Sequence, residues 1–151
     1  DVHCVAHTHT NAGMAVACTQ EGLRTDNFYS ALLHNHIAYH DFEGITVNAD
    51  EKPRLIANLG DKSLMILRNH GLLAGGRTIP EAFQNLWAME RACEVQVATD
   101  STGRPNIPVS PEILAKSEEL MAMQAAGSPS GELEFKAFTR LIEKIDPSYK
   151  D

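Results

Sequence analysis

The sequence predicts an α/β domain in which short strands and helices alternate, extended by a helical tail. Three observations carry this. Strand-length apolar runs such as Leu64-Met65-Ile66-Leu67 alternate with segments of helical periodicity through the first hundred residues. Capping residues and glycines punctuate those segments where helices start and stop. After about Ser101 the strand-like runs cease and two amphipathic stretches follow.

Length and composition set the limits. At 151 residues the chain is sized for one core. A content of 43% hydrophobic and 22% charged residues is that of a soluble globular protein. The net charge of -7, with no Lys/Arg cluster, excludes a nucleic-acid surface. No apolar run approaches the roughly 18 residues of a membrane span. Cys4, Cys18 and Cys93 are odd in number and irregular in spacing, so they read as free buried thiols, and a reducing cytoplasm is the expected location. The chain opens with Asp1-Val2-His3 inside a strand-like run, without Met or a basic leader, so a preceding segment is expected.

The elements follow in order. Residues 2–6 read as a buried strand leading into His7. Residues 11–20 form a short helix capped by Asn11, with small residues for close packing and Gly22 beyond its end. Asp26 is expected to cap a second helix through Leu33, and residues 44–47 to form a short strand. A helix beginning at Asp50 sets Leu55, Ile56 and Leu59 on one side and stops at Gly60. Leu64-Met65-Ile66-Leu67 reads as a strand covered on both faces, and Leu72 to Ala74 as its return after a turn at His70-Gly71.

Thr78, Pro80 and Glu81 open the longest helix, whose stripe is Leu86, Met89, Cys93 and Val97. Residues 101–111 hold three of the seven prolines and read as a linker. Helices are expected from Ser110-Pro111 to about Ala126, and from Glu132 to Ile145 with Phe135, Phe138, Leu141, Ile142 and Ile145 on one face. This divides the chain into a core, 1–100, and a helical arm, 101–151. The arm has no evident core of its own, so a neighbouring subunit is expected to receive it.

The chemistry concentrates in histidines. His7 and His9 are two apart, and on a strand both side chains point to one face. His70 sits in the turn after a buried strand. Two histidines in an H-x-H step with a distant third form a transition-metal ligand set, and imidazole suits zinc, iron, nickel or copper. Three protein ligands leave a position open for water or substrate, as catalytic sites require. A second cluster, His34, His36, Tyr39, His40, Asp41 and Glu43, is rich in proton-transfer groups. His34 and His36 read as polar turn residues, and His40 as an acid/base candidate.

The segment Val5-Ala6-His7-Thr8-His9-Thr10-Asn11-Ala12-Gly13-Met14-Ala15-Val16 resembles the metal-binding segment of the class II aldolase/adducin family. Leu67-Arg68-Asn69-His70-Gly71-Leu72-Leu73 resembles its second ligand segment, with Thr78, Glu81-Ala82-Phe83 and Glu90 to Glu94 following at similar intervals. Residues 38–44 and Asp146-Pro147-Ser148-Tyr149 are similar to the adducin-type branch. The resemblance covers nearly the whole chain.

It implies a three-layer α/β/α fold around a mainly antiparallel sheet, often in homo-tetramers. It implies a divalent metal held by His7, His9 and His70: zinc first, with iron, nickel, manganese or cobalt as alternatives. The implied activity is that of a lyase, or a related epimerase or dehydratase, acting on a small hydroxy-carbonyl, sugar-phosphate-like substrate through a metal-stabilised enediolate. The family's acid/base Glu and its phosphate-binding loops precede the H-x-H step and have no counterpart here; neither Glu21 nor Glu43 occupies that place. Tyr29, near the position of a catalytic Tyr in the aldolases, and His40 are the catalytic candidates left, with Asn11 a further polar candidate. The alternative is an adducin-like module that uses the same fold for binding and assembly without catalysis.

Overall fold

The computed structural model describes residues 2–45, 49–126 and 130–150. The apolar run of the sequence is its centre. Strand β3 (Leu64–Leu67) is buried at every position, with Ile66 fully inaccessible. It pairs antiparallel with β4 (Gly71–Gly76), which pairs antiparallel with β1 (Cys4–Thr8). On its other side β3 pairs parallel with β2 (Ile37–His40), giving the order β1-β4-β3-β2. Two of the three pairings are antiparallel, as expected.

Because side chains alternate along a strand, β3 serves two layers. Leu64 and Ile66 join Leu72 and Ala74 of β4 under Val16, Leu33, Met89 and Cys93. Those residues belong to α1 (Asn11–Ala17), the residue ending α2 (Phe28–Leu32), and α4 (Ile79–Ser101). Met65 and Leu67 face the opposite way, with Ala38 of β2 and with Leu55 and Leu59 of α3 (Lys52–Leu59). The sheet is therefore sandwiched between helices.

Several local expectations are corrected. Thr10, not Asn11, caps α1, accepting from the Gly13 amide. Asn27, not Asp26, caps α2, in a reciprocal box with Ser30. Gly44 and Ile45 form a bend rather than a strand, and 46–48 lie outside the described residues. The second edge strand is instead Ile37–His40, where the sequence showed a polar cluster, because pairing with β3 and burial of Ala38 and His40 override composition there. Leu55 and Leu59 face the core as expected, but Ile56 is exposed.

On α4 the inward stripe is Ala82, Met89, Ala92, Cys93 and Gln96, while Val97 turns outward. Gln96 is buried because both ends of its amide are used: it accepts from the Arg24 amide at 2.8 Å and donates to the Gly22 carbonyl at 3.0 Å. Of the cysteines, Cys93 is buried and Cys4 half-buried, whereas Cys18 is exposed at the end of α1.

The arm folds back on its own chain. Helix α5 (Pro111–Ala125) packs on α2, with Asn35 donating to Glu118. Helix α6 (Glu132–Ile145) packs on α4 by placing Phe135 and Phe138 against Phe83, each at 5.5 Å between ring centroids. Gly131 makes this docking feasible: its φ is +89°, and a Cβ there would lie 2.3 Å from the Pro80 carbonyl oxygen. Leu141 and Ile145 on the same helix remain exposed. Among the described residues no helix is long and apolar enough to cross a membrane.

Candidate metal centre

Three local structures bring the histidines together. His7 lies within β1, one residue before its end, and His9 follows just beyond it. His70 ends the turn between β3 and β4, where Asn69 takes a left-handed conformation with φ +55°. Pairing of β1 with β4 then lays the end of one strand beside the start of the other, with Thr8 opposite Leu72 and His7 opposite Leu73. Gly71 is the close approach that permits this. A Cβ there would stand 2.3 Å from the Thr8 carbonyl oxygen, 3.2 Å from His9 and 3.4 Å from His7.

The ring centroids are 4.6 Å apart for His7 and His9, 4.7 Å for His9 and His70, and 4.9 Å for His7 and His70. One ligand nitrogen from each lies within 4.8 Å of the others. His7 Nδ1 donates to the Leu72 carbonyl oxygen at 2.7 Å, so its Nε2 carries the lone pair and faces His9 Nε2, also at 2.7 Å. Burial, and then the neighbouring His7 and His9, hold the His70 imidazole below its ordinary range, favouring the neutral form that metals require.

The donor set fits a divalent ion of the zinc type. Tetrahedral zinc with Zn–N near 2.1 Å spaces its nitrogens by about 3.4 Å, so the observed spread requires side-chain adjustments on the order of an ångström. His7 and His9 are exposed and His70 half-buried, so a ligand has access. Phe42 stands beside the trio, its ring 6.2 Å from that of His70.

The other predicted site residues lie elsewhere. His40 is buried in β2: its Nδ1 accepts from Asn58 at 2.8 Å, and its Nε2 faces Glu51 at 3.3 Å and Glu43 at 3.8 Å. Tyr29 packs edge-on between Phe28 and Trp87 at 5.4 and 5.8 Å. Among the described residues neither makes a hydrogen bond or ring contact with the trio. His34 and His36 are half-buried in and after the turn that follows α2, and Asn11 is the exposed first residue of α1. Sequence reasoning overlooked Arg68, Glu51 and Asn58. Arg68 alone carried a signal, its place in the motif beside His70.

Residues 1–97 match the family described as Class II Aldolase and Adducin N-terminal domain, and the chain belongs to that family. It is 41% identical to an aldolase II superfamily protein from Pseudomonas syringae, whose crystal structure superposes over 100% of this chain and 60% of that one with a TM-score of 0.89. It is 38% identical to alpha-adducin of Rattus norvegicus over 156 residues, covering 96% of this chain and 21% of the adducin. The L-fuculose 1-phosphate aldolase of Glaciozyma antarctica shares the fold, with a TM-score of 0.73 at 23% identity over 95% of this chain and 53% of that one. The chain spans about 58–60% of the length of the bacterial relatives it matches.

Proposed function

We propose that the chain carries the metal-binding part of a class II aldolase-type lyase, with one divalent ion held by His7, His9 and His70. Zinc is the first choice, with iron, nickel, manganese and cobalt as alternatives. The single observation behind this is the convergence of three imidazoles from two separate segments onto one accessible point. Scattered polar histidines would have no reason to meet there.

When bound, the ion supplies Lewis acidity toward the carbonyl and hydroxyl oxygens of a small substrate, as enediolate-forming reactions require. The protein's part is to present three neutral nitrogens and leave one approach open. The Leu72 carbonyl fixes the tautomer of His7, and burial favours the neutral form of His70. The substrate class is a hydroxy-carbonyl compound of sugar-phosphate type, consistent with the fold shared with the fuculose-phosphate aldolase. In this reading His40 acts at a distance by orienting Glu51, and Tyr29 is a proton donor only if substrate or a second subunit reaches α2. A homo-oligomer is the proposed assembly, with a tetramer expected from the family.

One observation favours a second reading, an adducin-like binding module without catalysis: the 38% identity to alpha-adducin extends over nearly the whole chain. Metal content separates the two. Protein purified without chelators or a His-tag is expected to hold about one ion per chain by elemental mass spectrometry, and His70→Ala to hold none. Absence of metal from the wild type favours the module, and unchanged metal in His70→Ala removes the site assignment.

A further inference from the structure

We infer that Arg68 is a positioning residue for this centre, locking the turn that bears His70 to helix α1 so that the helix acts as a strut between the two ligand segments. The inference rests on the metal reading proposed above.

Helix α1 is seven residues long, about 10 Å at the usual rise per residue. Each end is tied to a ligand. At its start only the cap Thr10 separates it from His9, and the Thr10 hydroxyl accepts from Gly13 while donating to Glu90 of α4 at 2.5 Å. At its finish the Ala17 carbonyl accepts from the Asn69 amide at 3.0 Å. The Arg68 guanidinium donates through one nitrogen to the Thr19 and Gln20 carbonyls at 2.8 and 3.1 Å. These carbonyls just past the helix would otherwise be open acceptors, and a planar cation satisfies two of them at once.

Two further contacts hold Arg68 in place, one through its side chain and one through its backbone. The guanidinium lies 4.4 Å from the centroid of the Tyr39 ring, and Tyr39 in turn accepts from the Leu23 amide. The Arg68 amide donates to the His40 carbonyl at 2.8 Å, anchoring the turn to β2. The side of the strut is fixed as well: Gly13 lies so close to β4 that a Cβ there would be 2.8 Å from Leu72 Cγ. Leu72 is the residue whose carbonyl holds His7. All three ligands are thus referred to one short helix, and Arg68 closes the connection at the His70 end.

The test uses the full chain with Co²⁺ as probe, in wild type, Arg68→Met and Arg68→Lys. Affinity is read by titration, geometry by the visible d–d bands, and folding by circular dichroism and melting of the metal-free protein. Arg68→Met is expected to weaken Co²⁺ binding up to about tenfold, the lower end of what losing a group bonded directly to a ligand costs, and to shift the d–d bands. Arg68→Lys should fall between, because an ammonium keeps the charge and can still meet the carbonyls but has no planar face to lay against Tyr39. Wild-type affinity and spectrum in both variants would overturn the inference, as would a lower melting temperature with an unchanged cobalt spectrum. Should Arg68→Met fail to fold, Arg68→Lys decides on the same criteria. A wild type that binds no Co²⁺ overturns the metal reading itself, a result distinct from failure of the strut.

Discussion

The Nδ1–H of His7 points at the carbonyl oxygen of Leu72, 2.7 Å away across the β1–β4 pair. A backbone acceptor cannot be removed by a side-chain substitution, so the tautomer of this proposed ligand is set by strand pairing. The nitrogen left over faces His9 Nε2 at 2.7 Å. The ligand geometry and the sheet register are therefore one feature, and a slip of the β1–β4 register would undo both.

Long-range 1H–15N correlation in the metal-free protein at pH 8 is expected to show His7 protonated at Nδ1. A His7 carrying its proton on Nε2 would remove the basis for its role as an oriented ligand.

His70 should titrate below the ordinary imidazole value of 6.5, since burial and the adjacent histidines disfavour its charged form. The sign follows: the folded state binds this proton less readily than the unfolded state. The associated stability is complete above 6.5 and declines as pH falls through that value toward the folded pKa. Histidine C–H resonances followed from pH 8 to pH 4 test this, and a midpoint at or above 6.5 contradicts it.

Gly71→Ala should damage both fold and site. Its methyl would meet the Thr8 carbonyl oxygen at 2.3 Å, and neither backbone can yield without breaking the β1–β4 pair. Overpacking of this kind costs about 1–3 kcal/mol, and metal binding should weaken with it. Gly60→Ala is the control for the site: nothing lies within 4 Å of a Cβ there, so only the backbone strain at φ +60° and ψ -128° is felt, about 1–3 kcal/mol, with metal binding intact. Equal metal affinity in wild type and Gly71→Ala would contradict the close-approach argument.

Cys18 and Cys93 should separate in a thiol titration. Cys18 is exposed and should react with an aromatic disulfide reagent in the native protein. Cys93 is fully buried, and burial first, then Glu90 and Glu94, push its thiol up to about 12. It should react only on unfolding. The linked stability is complete below the usual thiol value of 9.0 and is lost as pH rises toward 12. Rapid native labelling of Cys93, read by peptide mass, would contradict its placement.

Met89→Ala should cost about 2–5 kcal/mol, because Met89 is fully buried between α4 and the sheet and the cavity it leaves is only partly refilled. Ile145→Ala, at the C-terminal end of the apolar face of α6 and 70% exposed, should leave the melting temperature almost unchanged. A concentration-dependent loss of stability in Ile145→Ala would instead place that face in an assembly contact.

Much of this protein was legible in its residues. The unbroken apolar run at β3, the Thr78-Pro80-Glu81 start of α4 and the amphipathic face of α6 are signals contained in a few consecutive residues, and those elements formed within a few residues of expectation. The H-x-H step and the Arg68-Asn69-His70-Gly71 turn identified both halves of the candidate site for the same reason. Local competition between neighbouring polar residues was harder to read, so the caps fell to Thr10 and Asn27, each one residue from the expected position. What the sequence could not express is which distant strand each strand joins. Pairing with β3 made a strand of Ile37–His40 and buried His40 against Asn58 and Glu51. Pairing of β1 with β4 brought His70 beside His7 and His9, one nitrogen of each within 4.8 Å of the others, across more than sixty residues of chain. Periodicity and capping are properties of short segments and are written there; the meeting of the three imidazoles depends on long-range register and on one glycine with no side chain in the way, which only the folded chain decides.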